Sequence, residues 1–219
     1  MSVGLIYLVR HGQASFGADD YDVLSPLGHE QARVTGAALA ARGIQPDRVV
    51  SGSLRRQQAS LAALADAAGW SPDTVIDSDW NEFDHRAVVA SHLRGGKISV
   101  TESVTPREYQ QTFVRAVDAW TAGELIDVEP FSVFADRCRQ ALLRVADDDG
   151  TTVVVTSGGV IGVLAARSLA GDVTRWSQLN GVVINAAVSK LLVSPRGCTM
   201  LSFNEQGHLE HDRRLVTYR

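Results

Sequence analysis

Short apolar runs that each open into a polar junction and then a helix constrain this chain more than any other feature. Leu5-Ile6-Tyr7-Leu8-Val9 is the first run, Val49-Val50 the second and Thr152-Val153-Val154-Val155-Thr156 a later one. A run that is apolar at successive positions leaves no face for water, which suits a strand of a parallel sheet covered on both sides. The helices between have readable ends. Ser25 followed by Pro26 reads as an N-cap with proline at the first helical position, and this helix should run until Gly43. Residues 54–68 form a second, alanine-rich helix ended by Gly69. Strand and helix in alternation predict an α/β fold of three layers, α/β/α, around a mostly parallel, doubly wound sheet.

The later chain modifies this rhythm. Thr74-Val75-Ile76 reads as another strand, after which residues 79–130 depart from the alternation and read as an inserted helical cap. Thr105-Pro106-Arg107-Glu108 is a capping box, and Tyr109, Phe113, Val117 and Trp120 recur at helical spacing, as core positions do. Phe134, Cys138, Leu142 and Val145 mark a further amphipathic helix. A hairpin should close the sheet, with residues 187–193 and 200–203 as arms, 194–197 as the turn and Cys198 at the turn's exit. With 219 residues, 45% of them hydrophobic, the chain can bury one core, so residues 1–219 read as one domain with the cap inside it.

Composition narrows the function classes. A net charge of -4 with 21% charged residues argues against a surface for nucleic acid or anionic membrane. Cys138 and Cys198 lack the spacing of a metal site or a disulfide framework, and the first apolar run is too short for a signal or membrane segment. The expectation is a cytoplasmic protein with neither metal nor cofactor. An edge strand near the carboxyl terminus could pair in a homodimer.

Chemistry gathers where the apolar runs end. Arg10-His11-Gly12 ends the first, Ser51 through Ser60 with Arg55 and Arg56 follows the second, and Ser157-Gly158-Gly159 follows the third. In an open α/β sheet, ligands collect beyond the carboxyl ends of the strands. An imidazole, arginines and a glycine-rich helix start at one rim suit a phosphate. A guanidinium matches phosphate oxygens as a fork, and the amides of a helix start add positive potential. The neutral imidazole of His11 can attack phosphorus in line if its other ring nitrogen is held. The leaving oxygen then needs an acid, for which Glu82 in Trp80-Asn81-Glu82-Phe83-Asp84-His85 is placed and Asp84 competes. Gly12, Gln13, Ser157 and Gly158 would complete the phosphate site with Arg10 and Arg56. Arg55 should point to solvent, since neighbouring helical residues do not share a face.

These segments resemble the histidine phosphatase superfamily, the phosphoglycerate-mutase-like proteins, over most of the chain. Arg10-His11-Gly12 matches its Arg-His-Gly hallmark, and Leu24-Ser25-Pro26-Leu27-Gly28-His29-Glu30-Gln31-Ala32 looks like the opening of its first helix. Residues 51–60 are similar to its Ser-Ser-Pro-Leu-x-Arg-Ala-x-x-Thr element, a register that makes Arg56 the phosphate arginine. Glu82 falls where the family carries its acid, and Asn185 falls on the late strand where it often has asparagine. The resemblance implies a phosphohistidine on His11, no metal, and water attacking that intermediate with Glu82 as base. It departs at Ser157, where the family has a second histidine, and near Phe16-Gly17, where an asparagine is absent. His29, His85, His92 and Arg55 are candidates to compensate.

The leading expectation is therefore a metal-independent phosphomonoester hydrolase acting on a small phosphorylated metabolite, slowed or retuned by Ser157. The alternative is a phospholigand-binding or regulatory protein that lost turnover with the second histidine, and a less favoured one is a phosphoglycerate mutase. Leaving-group recognition would come from the cap, where His85, Arg86, His92, Arg94 and Lys97 could favour an added anionic group. Asp147-Asp148-Asp149 reads as solvated charge at a helix end, and Gly158-Gly159-Val160-Ile161-Gly162 lacks dinucleotide-loop spacing.

Overall fold

The computed structural model describes residues 4–15, 22–71, 73–95, 106–146 and 150–218. Six strands make one mixed sheet. β1 (Gly4–Arg10), β2 (Arg48–Ser51), β3 (Thr74–Ile76) and β4 (Gly150–Thr156) run parallel, and a hairpin of β5 (Val188–Ser194) and β6 (Gly197–Glu205) joins β1 antiparallel, in the order β3-β2-β4-β1-β5-β6. Register decides what this sheet can present. Arg10 pairs with Thr156 and Ser51 with Val155, so β1, β4 and β2 end level and deliver His11, Ser157 and Gly52 to the same rim.

Seven helices occur among the described residues: α1 (Pro26–Ala41), α2 (Arg55–Ala68), α3 (His85–Gly95), α4 (Pro106–Thr121), α5 (Phe131–Ala146), α6 (Gly158–Ala170) and α7 (Trp176–Asn180). The ends of α1 follow the sequence closely. Ser25 Oγ accepts the Gly28 N–H at 3.0 Å, and Gly43, at φ +73°, stands just past the last turn in a conformation that favours glycine. The amino end of α2 is capped differently, because Leu54 has no oxygen to offer. Asp22 accepts the Arg55 N–H at 2.9 Å, and Gln57 Oε1 accepts the Leu54 N–H at 3.3 Å.

Strand alternation gives the sheet two buried faces. Tyr7, Val9, Val49, Val153 and Val155 pack with Leu39 of α1 and with Leu61 and Leu64 of α2. Ile6, Leu8 and Val154 point the other way and are equally buried, and α6 lies against β1 and β6. Each such aliphatic side chain contributes about 1.5–3 kcal/mol by leaving water. The rim is thus built on a rigid base.

The chain divides into two compact units, Met1–Glu82 with Cys138–Arg219, and Phe83–Arg137. In the second, Phe83 stacks on Trp120 at 4.5 Å between centroids, with Phe134 edge-on to Phe83 at 5.7 Å. The Trp120 indole donates to Glu129 O at 2.6 Å, and Arg137 grips the Glu129 carboxylate at 2.7 and 3.0 Å. Val117 and Trp120 are buried as their spacing predicts, whereas Phe113 is half-buried and Tyr109 is 38% exposed. Helical period alone does not say how wide the covered stripe is.

Two expectations change in detail. The hairpin strands run closer to their turn, so Cys198 pairs with Val193 inside β6 and Gly197, at φ +109°, makes the turn. Asn185 lies in the segment between α7 and β5, ahead of the strand. Thr105 of the capping box, Phe16-Gly17, Lys97 and Asp147-Asp148-Asp149 fall outside the described residues. No helix among the described residues is long and apolar enough to cross a membrane.

Candidate active site

His11 leaves β1 with its backbone still paired, since its N–H donates to Thr156 O at 2.9 Å. Its ring is held at one nitrogen. Nδ1 lies 2.7 Å from the Gly12 carbonyl, which can only accept, so Nδ1 carries the proton and Nε2 keeps its lone pair. Arg56 Nε donates to that Nε2 at 3.2 Å. Burial pushes the imidazole well below its ordinary range, and the charges of Arg56 and Arg10 push it further, against a weaker opposite pull from the Gly12 carbonyl. A neutral ring with one committed nitrogen and one basic nitrogen is the form a nucleophile needs.

The two arginines are anchored by different means. Arg56, 6% exposed, pairs through Nη1 with Asp22 Oδ1 at 2.7 Å while its Nε reaches His11. Arg10 Nη1 donates to the carbonyls of Val183 and, at 2.9 Å, of Tyr218, which brings the carboxyl-terminal segment to the rim. The same guanidinium lies against the start of α6, where a Cβ on Gly158 would stand 3.5 Å from Arg10 Nε. Arg55 is exposed, as its helical position predicts.

The backbone amides of Gly12 and Gln13, both expected at the phosphate site, already have partners in the protein. Gly12 N–H donates to Ser60 Oγ at 3.0 Å and Gln13 N–H to Gln31 Oε1 at 2.7 Å, so both amides are engaged within the protein. Gly12 is instead a point of close approach. A Cβ there would stand 2.2 Å from Gly28 O, and one on Gly28 would stand 2.2 Å from Gln13 O. The Gln13 side chain sits above the start of α1, its Oε1 accepting from Ser25 Oγ at 2.9 Å.

The two candidate acids separate cleanly. Glu82 Oε2 accepts the Gly159 N–H at 3.0 Å, which puts its carboxylate at the amino end of α6. Asp84 is exposed and accepts the Ala87 N–H at 2.9 Å, so it serves as the cap of α3. Asn185, fully buried, donates to His11 O at 3.2 Å and accepts from Thr217 Oγ1 at 3.0 Å. His85, Arg86, His92 and Arg94 belong to the second compact unit, and His29 is half-buried on α1.

Ser157 is 0% exposed, and its Oγ accepts a hydrogen bond from Gln57 Nε2 at 2.9 Å. The direct phosphate contact expected of this hydroxyl therefore meets a group that solvent does not reach. Gln57, Asp22, Ser60 and Gln31 are the participants that sequence reasoning missed. Gln57 and Ser60 stand one and four residues after Arg56, and that helical spacing could have flagged Ser60. Nothing in the sequence ties Asp22 to Arg56.

A histidine at the end of the first strand, an arginine from the second junction on its open nitrogen and a carboxylate at the α6 start form the site's core. The family model described as histidine phosphatase superfamily, branch 1, matches residues 6–206. The chain belongs to that superfamily. A 2,3-bisphosphoglycerate-dependent phosphoglycerate mutase of Sinorhizobium fredii is 39% identical over 90 residues, which cover 37% of this chain and 42% of that relative. The chain thus spans well under half the length of this curated relative. Among solved structures, a phosphoglycerate mutase from Bacillus anthracis aligns with a TM-score of 0.69 at 17% identity, covering 95% of this chain and 96% of that one. A mycobacterial glucosyl-3-phosphoglycerate phosphatase aligns with a TM-score of 0.66 at 21% identity, over 93% and 100%. These structural likenesses establish the superfamily's α/β fold for this chain.

Proposed function

We propose that this superfamily member is a phosphomonoester hydrolase that works through a phosphohistidine on His11 and acts on a small phosphorylated metabolite. The observation that carries this is the state of the His11 ring, with Nδ1 committed to the Gly12 carbonyl and Nε2 basic beside Arg56. Arg56 and Arg10 gather the phosphoryl oxygens, and the guanidinium N–H now on Nε2 turns to an oxygen of the bound group. The Nε2 lone pair forms the N–P bond as the P–O bond to the leaving group breaks, and Glu82 gives that oxygen its proton. In the second step water attacks phosphorus, Glu82 takes a proton from it, and the N–P pair returns to Nε2. No step requires a metal. Asn185, on the His11 carbonyl, and Ser60, on the Gly12 amide, steady the loop.

Trapping tests the reading directly. Rapid quench of the protein with p-nitrophenyl phosphate should leave an acid-labile phosphate on His11 that the His11→Ala variant lacks. Equal labelling of the two would sink it. The mutase names of the relatives matched over 90 residues favour a second reading, in which the phosphoryl group returns to a sugar acid. Interconversion of phosphoglycerates faster than their hydrolysis would select it. The buried, neutral Ser157 favours a binding protein without turnover, which turnover of an aryl phosphate above the His11→Ala background would eliminate.

A further inference from the structure

Gln57 is fully buried, and its side chain reaches both Trp80 and Ser157. Resting on the phosphatase reading, we propose that Gln57 is a positioning residue for Glu82, and that Ser157 acts through Gln57 and not on the phosphoryl group. Its carboxamide has one possible orientation. Nε2 donates to Trp80 O at 3.0 Å and to Ser157 Oγ at 2.9 Å, while Oε1 accepts from Leu54 N at 3.3 Å. Turned over, it would set oxygen against the Trp80 carbonyl and NH₂ against the Leu54 N–H. Both amide protons are thus spent on two different parts of the rim.

Those parts carry the proposed chemistry. Gln57 follows Arg56 directly, Ser157 directly precedes α6, and Trp80 stands two residues before Glu82. The Trp80 carbonyl also takes Thr156 Oγ1 at 2.6 Å. Asn81, between Trp80 and Glu82, is stitched to Ser53 by bonds of 2.7 and 2.8 Å. The segment leading to the acid is therefore fastened to the arginine's helix and to the end of β4 by groups that never titrate. A proton donor must stay within hydrogen-bond reach of the leaving oxygen, so the stiffness of this segment bears on the rate.

Gly52 makes room for the arrangement. A Cβ at Gly52 would stand 2.0 Å from Gln57 Oε1 and 2.6 Å from Asn81 Oδ1. Gly52, Gln57 and Ser157 meet in space, Gly52 against Gln57 and Gln57 on Ser157, and the carboxamide takes the space a longer side chain at position 157 would need.

A positioning role for Glu82 has a signature that a general loss of structure lacks. Gln57→Met keeps the length and removes the donors. Phenyl phosphate, whose leaving phenol has a pKa near the tyrosine value of about 10, needs a proton more than the more acidic p-nitrophenol does. We expect Gln57→Met to slow kcat for phenyl phosphate on the order of tenfold more than for p-nitrophenyl phosphate, with KM for both changed by less than about twofold. Adding Glu82→Gln should abolish that difference, because the two residues act in series. Gly52→Ala pushes a methyl group against the same carboxamide, should show the same selective loss, and decides the matter if Gln57→Met does not fold. Equal slowing of both substrates, with His11 still labelled in the wild type, would overturn this inference alone. A wild type that neither turns over nor labels would overturn the phosphatase reading and this inference with it.

Discussion

At the ends of β1 and β2, Arg56 brings a full charge to within 3.2 Å of the His11 ring and is itself held by Asp22 at 2.7 Å. At the end of β4, Ser157 meets the neutral carboxamide of Gln57 at 2.9 Å, and that carboxamide is saturated by Trp80 and Leu54. The two regions share a rim and a degree of burial but use their polar groups in opposite ways. Buried charge is costly unless it is paired, and Asp22 supplies the partner for Arg56 while its Nε stays on the His11 ring. Neutral bonds of about 0.5–1.5 kcal/mol each add order without drawing an anion. On the proposed function, one half of the rim binds and reacts and the other holds its parts in place.

The largest effect should come from the charged half. Arg56→Met removes the guanidinium from His11 Nε2 and leaves Asp22 without that partner, and turnover of p-nitrophenyl phosphate should fall by roughly 10² to 10³, as for loss of one well-placed transition-state donor. A smaller loss than Gln57→Met causes would invert the division of labour between the two halves. Ser157→His sharpens the comparison from the other side. If the neutral half were merely a weakened charged one, histidine would speed the enzyme. We expect slower turnover and a lower melting temperature, since overpacking against Gln57 costs roughly 1–3 kcal/mol. Changing Gln57 to Ala alongside should recover part of the melting temperature by relieving that overpacking, and a gain in turnover from Ser157→His alone would refute the coupling.

The smallest expected effect is a pH dependence of stability. The folded His11 titrates well below the unfolded value of about 6.5, because burial and then Arg56 and Arg10 disfavour the imidazolium. Its contribution is complete above the unfolded pKa and is lost as pH falls toward the folded one, because only the unfolded chain then takes up the proton. Between pH 6.5 and 5.5 the loss is at most about 1 kcal/mol, the limit for a ring that takes up no proton in the folded state. His208 is also depressed, chiefly by burial, so the measurement is the difference between wild type and His11→Gln in urea unfolding at the two pH values. No difference would mean that the charged half leaves the His11 ring unperturbed.

Much of this site is legible in the sequence, for a reason tied to particular residues. Arg10, His11 and Arg56 follow apolar runs, and a strand buried on both faces must surface where its polar residues begin. Ser25, Pro26 and Gly43 mark their helix because capping is local chemistry. The hydrogen-bond economy of the loops was not legible. Gly12 looked like an anion donor, yet its amide serves Ser60, and its lack of a side chain serves the approach to Gly28. Asp84 competes with Glu82 in the sequence, and the Ala87 and Gly159 amides separate them.

By itself the sequence determined the alternation of buried strands and capped helices, the α/β class that follows, and the identity of the groups at the strand ends. Those depend on neighbours within a few residues. Tertiary structure alone decided which nitrogen of His11 is basic, that Asp22 holds Arg56, and that Gln57 joins Ser157 to the segment bearing Glu82. Each depends on strand register and helix approach, which bring together residues as far apart as 57 and 157 and leave a buried polar group the partner that the packing puts within reach.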